Sequence, residues 1–212
     1  MGIIKTRYDR NYFENYFYRE QPHSQRNINR VKELLLHKDT GELLEIGCAE
    51  GNFLKEARRH FYVTGLDISP YAVERAQTTL GDSIRVGDIQ KSVLPPRHYD
   101  AIVAFNILEH FERPANVIEK LYGALAEGGV LVGSVPNNYG IVGGLATLFS
   151  NLIDRTHCST YPPHVWGAAF AEQGFRDVSF FGEIMLGRNN SFYVKNRFWE
   201  SLSFNLMFVC TK

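Results

Sequence analysis

The sequence contains few cysteines, no excess of either charge and no long apolar run. Its three cysteines form no CxxC pair, so neither a disulfide framework nor a cysteine zinc site is predicted, and we expect a reducing cytoplasm. Lysine and arginine together number 23, as do aspartate and glutamate, so no net positive field attracts nucleic acid or an anionic membrane. This balance favours a small-molecule partner over a nucleic acid.

Signals for a membrane or for export are also missing. No stretch reaches the roughly 18 apolar residues of a membrane-spanning helix, and the first residues lack the apolar segment of a signal peptide. We therefore expect no stable membrane insertion. A chain of 212 residues is large enough to bury one continuous core, which predicts a single domain over residues 1–212. The oligomeric state is not predicted.

The most informative stretch is residues 42–67. It has the pattern of a buried strand, a glycine-containing turn at 47–51, a helix that begins near Asn52, and a second strand that ends at Asp67. This order is typical of half of a nucleotide-binding α/β unit, in which the backbone approaches a ligand beyond the carboxyl end of a strand. Asp67 stands at the spacing at which an acidic side chain meets ribose hydroxyls. The stretch therefore predicts a site for an adenosine-containing cofactor.

Strand and helix patterns alternate along the rest of the chain. Apolar periodicity, with glycine or proline at the boundaries, predicts helices at 8–20, 28–36, 70–80, 114–125 and 165–173, and strands at 84–86, 99–105, 130–135, 175–185 and 202–211. Such an alternation predicts an α/β, Rossmann-like, doubly wound sheet with helices on both faces. We expect seven strands, mostly parallel, with an antiparallel edge strand.

The features of a dinucleotide site are incomplete. The series G-x-G-x-x-G is met only at its first position, because Ala49 and Asn52 stand where the second and third glycines belong. No lysine or arginine occurs between residues 43 and 54, which fits a ligand without phosphates. An NAD-dependent enzyme is therefore the minor alternative.

Five short motifs, taken in order, resemble those of class I S-adenosylmethionine-dependent methyltransferases. They are LLEIGCAEG, GLDIS, GDI, FNILEHFERP and GGVLVGSVPN, and they lie between residues 42 and 138. The sequence is most similar to the small-molecule methyltransferases that have Leu-Glu-His after the fourth strand. The resemblance implies transfer of a methyl group from S-adenosylmethionine to a small molecule, with release of S-adenosylhomocysteine. It departs from many members at Ala49, where they have glycine.

The resemblance also implies which residues contact the cofactor. Those at its amino acid end would be Glu45, Gly47, Cys48 and Gly51. Asp67 would bind the ribose hydroxyls, while Ile68, Asp88 and Ile89 would contact the adenine. Asn106 would face the methionine part and the acceptor.

Histidines are the candidates for a general base. Methyl transfer to a hydroxyl requires removal of a proton, and imidazole titrates near neutral pH. His110 follows the fourth strand, and His157 lies in the segment after the fifth, which the resemblance assigns to the acceptor. Orientation of its loop is the alternative for His110, and plain packing is the alternative for His157. Their spacing with acidic residues along the sequence does not match a metal motif, so no metal is predicted.

The regions around the core receive separate predictions. We expect residues 1–40 to form helices that either pack on the body or cover a ligand as a lid, residues 42–138 to bind the cofactor, residues 139–173 to form an acceptor-side insertion, and residues 174–212 to add the C-terminal strands. Apolar residues recur at helical spacing in 139–153, which predicts a helix packed on the body. The alternatives are the wall of a pocket for an apolar or lipid-like acceptor, or contact with a membrane that holds such an acceptor.

Two functions of different classes follow from the sequence. The first is O-methylation of a small molecule, with oxygen preferred because histidines are present and with nitrogen or carbon acceptors as alternatives. The second is a non-catalytic protein that binds S-adenosylmethionine as a partner subunit.

Overall fold

A single eight-stranded sheet forms the centre of the fold in the computed structural model, which describes residues 8–14, 23–138, 144, 157–187, 189–196 and 200–212. In chain order the strands are β1 (Gly41–Ile46), β2 (Phe61–Asp67), β3 (Ile84–Val86), β4 (Tyr99–Phe105), β5 (Leu125–Pro136), β6 (Arg176–Met185), β7 (Ser191–Val194) and β8 (Asn205–Thr211). Their order across the sheet is β3-β2-β1-β4-β5-β8-β6-β7.

The first five strands are parallel, and the later ones add an antiparallel side. Strand β8 pairs antiparallel with both β5 and β6, and β7 pairs antiparallel with β6. The chain order reverses between β1 and β4, so the carboxyl ends of these two strands open a crevice of the kind that binds ligands in doubly wound folds. The predicted mostly parallel sheet with an antiparallel edge is confirmed, and β7 is an additional strand.

Helices cover both faces of the sheet. They are α1 (Arg10–Glu14), α2 (Gln25–Leu35), α3 (Asn52–Ala57), α4 (Pro70–Leu80), α5 (Pro114–Ala124) and α6 (Pro163–Glu172), with 3-10 turns at Gly81–Ser83 and Leu108–His110. Helix α4 begins with Ser69 as its N-cap and with Pro70 in its first turn. The Ser69 hydroxyl accepts the amide hydrogen of Ala72, which satisfies a donor that the helix leaves without a partner.

The core has two layers, one on each side of the sheet. Leu44 and Ile102 face α5 and α6 on one side, whereas Leu43 and Ala101 face α2, α3 and α4 on the other. Neighbouring residues of β1 and β4 are therefore buried on opposite faces, which explains the consecutive apolar residues Leu43–Leu44 and Ala101–Phe105 in these strands.

A buried ion pair ties α2 to the antiparallel side of the sheet. The Arg26 guanidinium donates to both carboxylate oxygens of Glu183, at 2.9 and 2.8 Å, and Ser191 and Asn205 donate to the same carboxylate. Although burial alone raises the pKa of Glu183, the Arg26 charge outweighs it and holds the pKa of this carboxyl well below its usual range. Glu183 is thus charged and fully hydrogen-bonded inside the protein.

The structure changes the predicted boundary between α5 and β5. Leu125, which we assigned to the apolar face of a helix, has an extended backbone and begins β5. The register between β4 and β5 then shifts, and Gly128 has a φ of 69° in the irregular stretch. The predicted helical residues 15–20 and most of the apolar segment 139–153 lie outside the described residues.

Candidate cofactor and acceptor site

The turn after β1 is shaped by backbone that bends into the left-handed region. Gly47 and Gly51 have φ values of 69° and 70°. A Cβ atom at Gly47 would lie 2.9 Å from the Ile107 side chain, so only glycine fits between the turn and the loop after β4. The Gly47 amide donates to the Leu66 carbonyl at 2.8 Å, which holds the turn beside the end of β2.

Ala49 takes a conformation that glycine adopts more readily. Its φ is 47°, in a region that costs an L-residue with a Cβ atom roughly 1 kcal/mol or more. Its amide donates to the Asp67 carboxylate at 2.8 Å, and this bond compensates part of the strain. The departure from the family pattern therefore leaves the turn in the shape that a glycine would give it.

Asp67 is held at the carboxyl end of β2 between two loops. One oxygen accepts from the Ala49 amide and the other from the Ser69 amide, both at 2.8 Å. Burial raises the pKa of Asp67, and the amides of Ser69, Ala49 and Ile68 oppose that rise. Because a carboxylate oxygen accepts more than one hydrogen bond, both oxygens can also receive the two hydroxyls of a ribose.

The loop after β3 joins the same end of the sheet. The Gly87 amide donates to the Asp67 carbonyl at 2.8 Å, and Ile89 is buried. The Asp88 carboxylate accepts the Gln90 amide at 3.0 Å and pairs with Lys91 at 2.9 Å, so it already stabilises its own turn. Asp88 and Ile89 follow this hydrogen-bonded glycine directly, and their contact with the adenine stays a prediction from the resemblance.

Three further predicted cofactor residues surround the β1 turn. Glu45 and Cys48 are buried, and Ile68 is half-buried directly after Asp67. Burial, followed by the charges of Glu45 and Asp67, raises the pKa of the Cys48 thiol well above its usual range. Cys48 therefore stays a neutral packing group at this site, and it is not an activated nucleophile.

Asn106 connects the loop after β4 to β5. Its amide donates to the Ser134 carbonyl at 2.8 Å, and its side-chain oxygen accepts the Ser134 hydroxyl at 3.0 Å. A φ of 49° turns the chain sharply here, which asparagine tolerates better than most residues. Asn106 is thereby fixed at the mouth of the crevice between β1 and β4.

The structure brings both candidate histidines together. The rings of His110 and His157 are 4.9 Å apart, at 65° to each other. Two backbone amides, those of Cys158 and Ser159, donate to the Glu109 carbonyl at 2.8 and 2.9 Å, which attaches the segment after β5 to the loop after β4. Asp154, which stands three residues before His157 in the sequence and could orient its ring, lies outside the described residues.

Sequence spacing did not reveal that Glu109 belongs to this group. A carboxylate oxygen of Glu109 and one ring nitrogen from each of His110 and His157 all lie within 4.8 Å of one another. The three residues come from two segments that are distant in the sequence, so no linear motif predicts their meeting. The expectation that the protein binds no metal rested on linear spacing alone.

The N-terminal segment lies close to both parts of the site. The Ser69 hydroxyl donates to the Tyr8 carbonyl at 2.6 Å, and the Tyr8 ring is 6.4 Å from the His110 ring. Phe13 packs near Tyr71 of α4, at 6.2 Å between ring centroids. No sequence pattern predicts the contact between Tyr8 and Ser69, because the contact depends on a backbone carbonyl.

A family described as a methyltransferase domain matches residues 15–179. The chain belongs to this methyltransferase family. The match includes the whole region from the β1 turn to the histidine pair, and it confirms the class I S-adenosylmethionine-dependent methyltransferase that the motifs resemble. S-adenosylmethionine is accordingly the cofactor of this family.

Individual relatives agree with this methyltransferase assignment. A ubiquinone biosynthesis O-methyltransferase of Psychrobacter cryohalolentis is 33% identical over 133 residues, which cover 55% of this chain and 51% of that protein. The chain thus spans about half the length of the curated relatives it matches first.

Solved structures share the fold of this methyltransferase. An S-adenosylmethionine-dependent methyltransferase from Archaeoglobus fulgidus has a TM-score of 0.71 at 19% identity, with 89% of this chain and 95% of that chain covered. Phosphoethanolamine N-methyltransferase 2 of Haemonchus contortus, in complex with phosphomonomethylethanolamine and S-adenosylhomocysteine, has a TM-score of 0.66 at 12% identity, with 88% of this chain and 52% of that chain covered.

Among the described residues, no helix is long and apolar enough to cross a membrane.

Proposed function

We propose that this methyltransferase transfers a methyl group from S-adenosylmethionine to a hydroxyl oxygen of a small molecule and releases S-adenosylhomocysteine. The observation that carries the proposal is the Asp67 carboxylate, which is fixed at the end of β2 by two amide hydrogen bonds of 2.8 Å. A group held so rigidly binds the ribose without losing conformational entropy.

The proposed cofactor contacts follow the strand ends. Asp67 binds the ribose, and Asp88 with Ile89 and Ile68 surrounds the adenine. The amino acid end lies along the β1 turn, where the proposed contacts are Glu45, Gly47, Cys48, Gly51 and, from the next loop, Asn106. Because that turn has no lysine or arginine, it suits a cofactor without phosphates better than it suits NAD.

The acceptor side is proposed from the histidine pair. His157 and His110 stand together at the same edge of the sheet, and an imidazole there would take the hydroxyl proton as the acceptor oxygen attacks the methyl carbon. Alignment of oxygen, methyl and sulfur supplies much of the remaining acceleration. The relative from Psychrobacter is an O-methyltransferase, which supports oxygen, whereas the Haemonchus structure is an N-methyltransferase, so the fold alone does not select the atom.

Two finer proposals accompany this function. Residues 8–14 would cover the bound cofactor, since Tyr8 is attached to Ser69, two residues after Asp67. An apolar or lipid-like acceptor is proposed from the apolar spacing in 139–153, most of which lies outside the described residues. The cytoplasm is the proposed compartment because all three cysteines are free thiols.

Replacement of Asp67 tests the cofactor assignment. Asp67→Ala is expected to weaken S-adenosylhomocysteine binding at least about fivefold, or about 1 kcal/mol, because hydrogen bonds to a charged group are lost. Isothermal titration calorimetry measures the affinity, and circular dichroism checks the fold. Asp82→Ala, at an exposed aspartate in the Gly81–Ser83 turn, is the matched control. A folded Asp67→Ala protein with the affinity of the control would refute the ribose assignment.

Turnover separates an enzyme from a binding subunit. Incubation with labelled S-adenosylmethionine and a set of phenols, amines and activated methylene compounds would show methylated product from the phenols first. Tight binding of S-adenosylhomocysteine without turnover on any acceptor would instead favour a non-catalytic partner protein.

A further inference from the structure

We propose that Glu109, His110 and His157 form a binding site for a divalent transition-metal ion at the acceptor side of the crevice. The contributing atoms are one carboxylate oxygen and two imidazole nitrogens, all within 4.8 Å of one another. The inference adds to the proposed methyl transfer and rests on it only for the role of the ion, since binding itself can be measured without turnover.

The separations suit one shared ion. Metal bonds to imidazole or carboxylate are about 2.0–2.2 Å long, so two ligands of one ion lie at most about 4.4 Å apart. The observed upper limit of 4.8 Å exceeds this by a few tenths of an ångström. Rotation of a histidine side chain closes such a gap without moving the backbone.

The surrounding backbone holds the ligands in place before any ion binds. The amides of Cys158 and Ser159, the two residues after His157, donate to the Glu109 carbonyl. The Ser159 hydroxyl donates to the Phe111 carbonyl at 2.8 Å. These bonds fix the two ligand-bearing segments relative to each other. Ordered supporting contacts of this kind raise the affinity of metal sites.

The ligand types select the class of metal. Two imidazoles and a carboxylate form a set that zinc and iron(II) proteins use, with positions left open for water or substrate. Magnesium and calcium prefer sites made wholly of oxygen ligands. We therefore expect Zn²⁺, Co²⁺ or Mn²⁺ to bind, and Mg²⁺ and Ca²⁺ to bind much more weakly.

Burial also favours an ion here. The Glu109 side chain is 0% exposed, whereas both histidines are partly exposed. Electrostatic attraction between a carboxylate and a divalent ion is strongest where water is excluded, so the buried position of Glu109 strengthens its bond to an ion. The exposed sides of the histidines leave a path by which an ion and an acceptor can enter.

In the proposed reaction the ion would bind the acceptor hydroxyl. A divalent ion lowers the pKa of a bound hydroxyl, so the proton leaves to bulk water and the oxygen stays on the metal as an anion. Its electron pair then forms the bond to the methyl carbon while the carbon–sulfur bond breaks, and the pair of that bond goes to sulfur. With an ion bound, the two imidazoles are ligands and not the base.

Zinc titration of the purified chain tests the site. After treatment with a chelator and its removal, calorimetry with Zn²⁺ is expected to show one tight site per chain, and Co²⁺ is expected to give visible absorption bands of a nitrogen and oxygen site. His157→Ala and His110→Ala should each weaken Zn²⁺ binding at least tenfold. His164→Ala, at an exposed histidine on α6, should bind Zn²⁺ like the unchanged protein.

Two further measurements keep the outcome decisive. Glu109→Gln removes the buried charge and should also weaken Zn²⁺ binding. Because this change at a buried position can unfold the protein, His157→Ala, at a partly exposed position, is the main test. S-adenosylhomocysteine affinity is measured in the same samples, since a lack of binding by the unchanged chain would count against the cofactor assignment and not against the metal. Equal Zn²⁺ affinity in His157→Ala and His164→Ala, or no stoichiometric Zn²⁺ binding by the unchanged chain, would overturn the proposal.

Discussion

Gly47 shows at the scale of one residue how closely the backbone turn is fitted to its neighbours. Its φ of 69° and the position of Ile107 both exclude a side chain, and they do so through independent effects. Conformational strain would act in the empty protein, whereas the contact with Ile107 would shift the loop after β4 that carries Asn106. Any residue other than glycine therefore disturbs two proposed cofactor contacts at once.

Gly47→Ala is expected to weaken S-adenosylhomocysteine binding at least tenfold and to destabilise the fold by about 1–3 kcal/mol. Gly123→Ala is the matched control, because Gly123 lies in α5 with nothing within 4 Å of an added Cβ atom. There alanine is expected to stabilise the helix by about 0.5–1 kcal/mol. Calorimetric affinity and urea unfolding of both variants check the pair, and equal behaviour would contradict a close approach at Gly47.

His157 provides a second expectation at this scale. His157→Ala should lower turnover about 10²–10⁴-fold while leaving S-adenosylhomocysteine affinity unchanged, because the residue serves the acceptor and not the cofactor. Steady-state kinetics with a phenol that the unchanged protein methylates, together with cofactor calorimetry, separates the two effects. A parallel loss of cofactor affinity would place His157 outside the acceptor site.

The sequence allowed candidate residues for the cofactor to be identified more readily than the arrangement of residues on the acceptor side. Asp67 and Gly47 were identifiable because a strand end, a glycine turn and their spacing are all visible in the sequence. The meeting of His110 with His157 was not, since it depends on backbone amides of Cys158 and Ser159 that bond to the Glu109 carbonyl. Every residue except proline has such an amide, so side-chain identity carries no trace of that contact.

At the scale of helices and strands, the buried Glu183 carboxylate stabilises the antiparallel side of the sheet. Glu183 of β6 receives hydrogen bonds from Arg26 of α2, Ser191 of β7 and Asn205 of β8. One carboxylate thus links the second helix to three strands of the antiparallel side. Removing either member of a buried pair leaves the other charge uncompensated.

Glu183→Gln is expected to destabilise the protein by about 3–5 kcal/mol, as does loss of one partner in other buried pairs. The pKa of Glu183 is lower in the folded protein than in the unfolded chain, so its contribution is present above the unfolded value of about 4.3 and is lost as the pH falls below it. Urea unfolding between pH 3 and 7 measures this slope.

The control for that series is Glu172→Gln, at an exposed position of α6. It should keep both the stability and the pH dependence of the unchanged protein. If Glu183→Gln retained the same loss of stability on acidification, the carboxylate would not be the group responsible.

Element boundaries were predictable where apolar runs end at turn residues. Strands β3 and β4 have the bounds that the pattern indicated, and α4 ends at Leu80 before Gly81. Strand β7 was not predicted because its four residues form no long alternation, and only pairing with β6 defines them as a strand. Leu125 was misassigned because its apolar spacing continues the helix although its backbone has already become extended.

At the scale of the whole molecule, the cofactor that the folded protein binds is the one that raises its free energy of unfolding. A ligand that binds only the folded state raises the free energy of unfolding by about 2.7 kcal/mol at 100 times its dissociation constant. S-adenosylhomocysteine is expected to produce such a rise and a higher unfolding temperature. NADH at the same concentration is expected to leave both unchanged, because the β1 turn lacks the second and third glycines of a dinucleotide site.

Differential scanning calorimetry with each ligand checks this expectation. A higher unfolding temperature with NADH but not with S-adenosylhomocysteine would favour the NAD-dependent alternative. A rise with both would show that the crevice recognises adenosine without distinguishing the rest of the ligand.

The hydrogen bonds from the Cys158 and Ser159 amides to the Glu109 carbonyl affect how mutations can change the acceptor specificity of such an enzyme. Because main-chain atoms make the link, side chains of this segment can be exchanged without detaching it from the loop after β4, provided that His157 is kept for its proposed role and Ser159 for its hydroxyl bond to the Phe111 carbonyl. Proline is the exception at positions 158 and 159, since it has no amide hydrogen. A library that varies this segment and omits proline at those two positions would sample new acceptors on an unchanged frame, while the methyl donor stays the same.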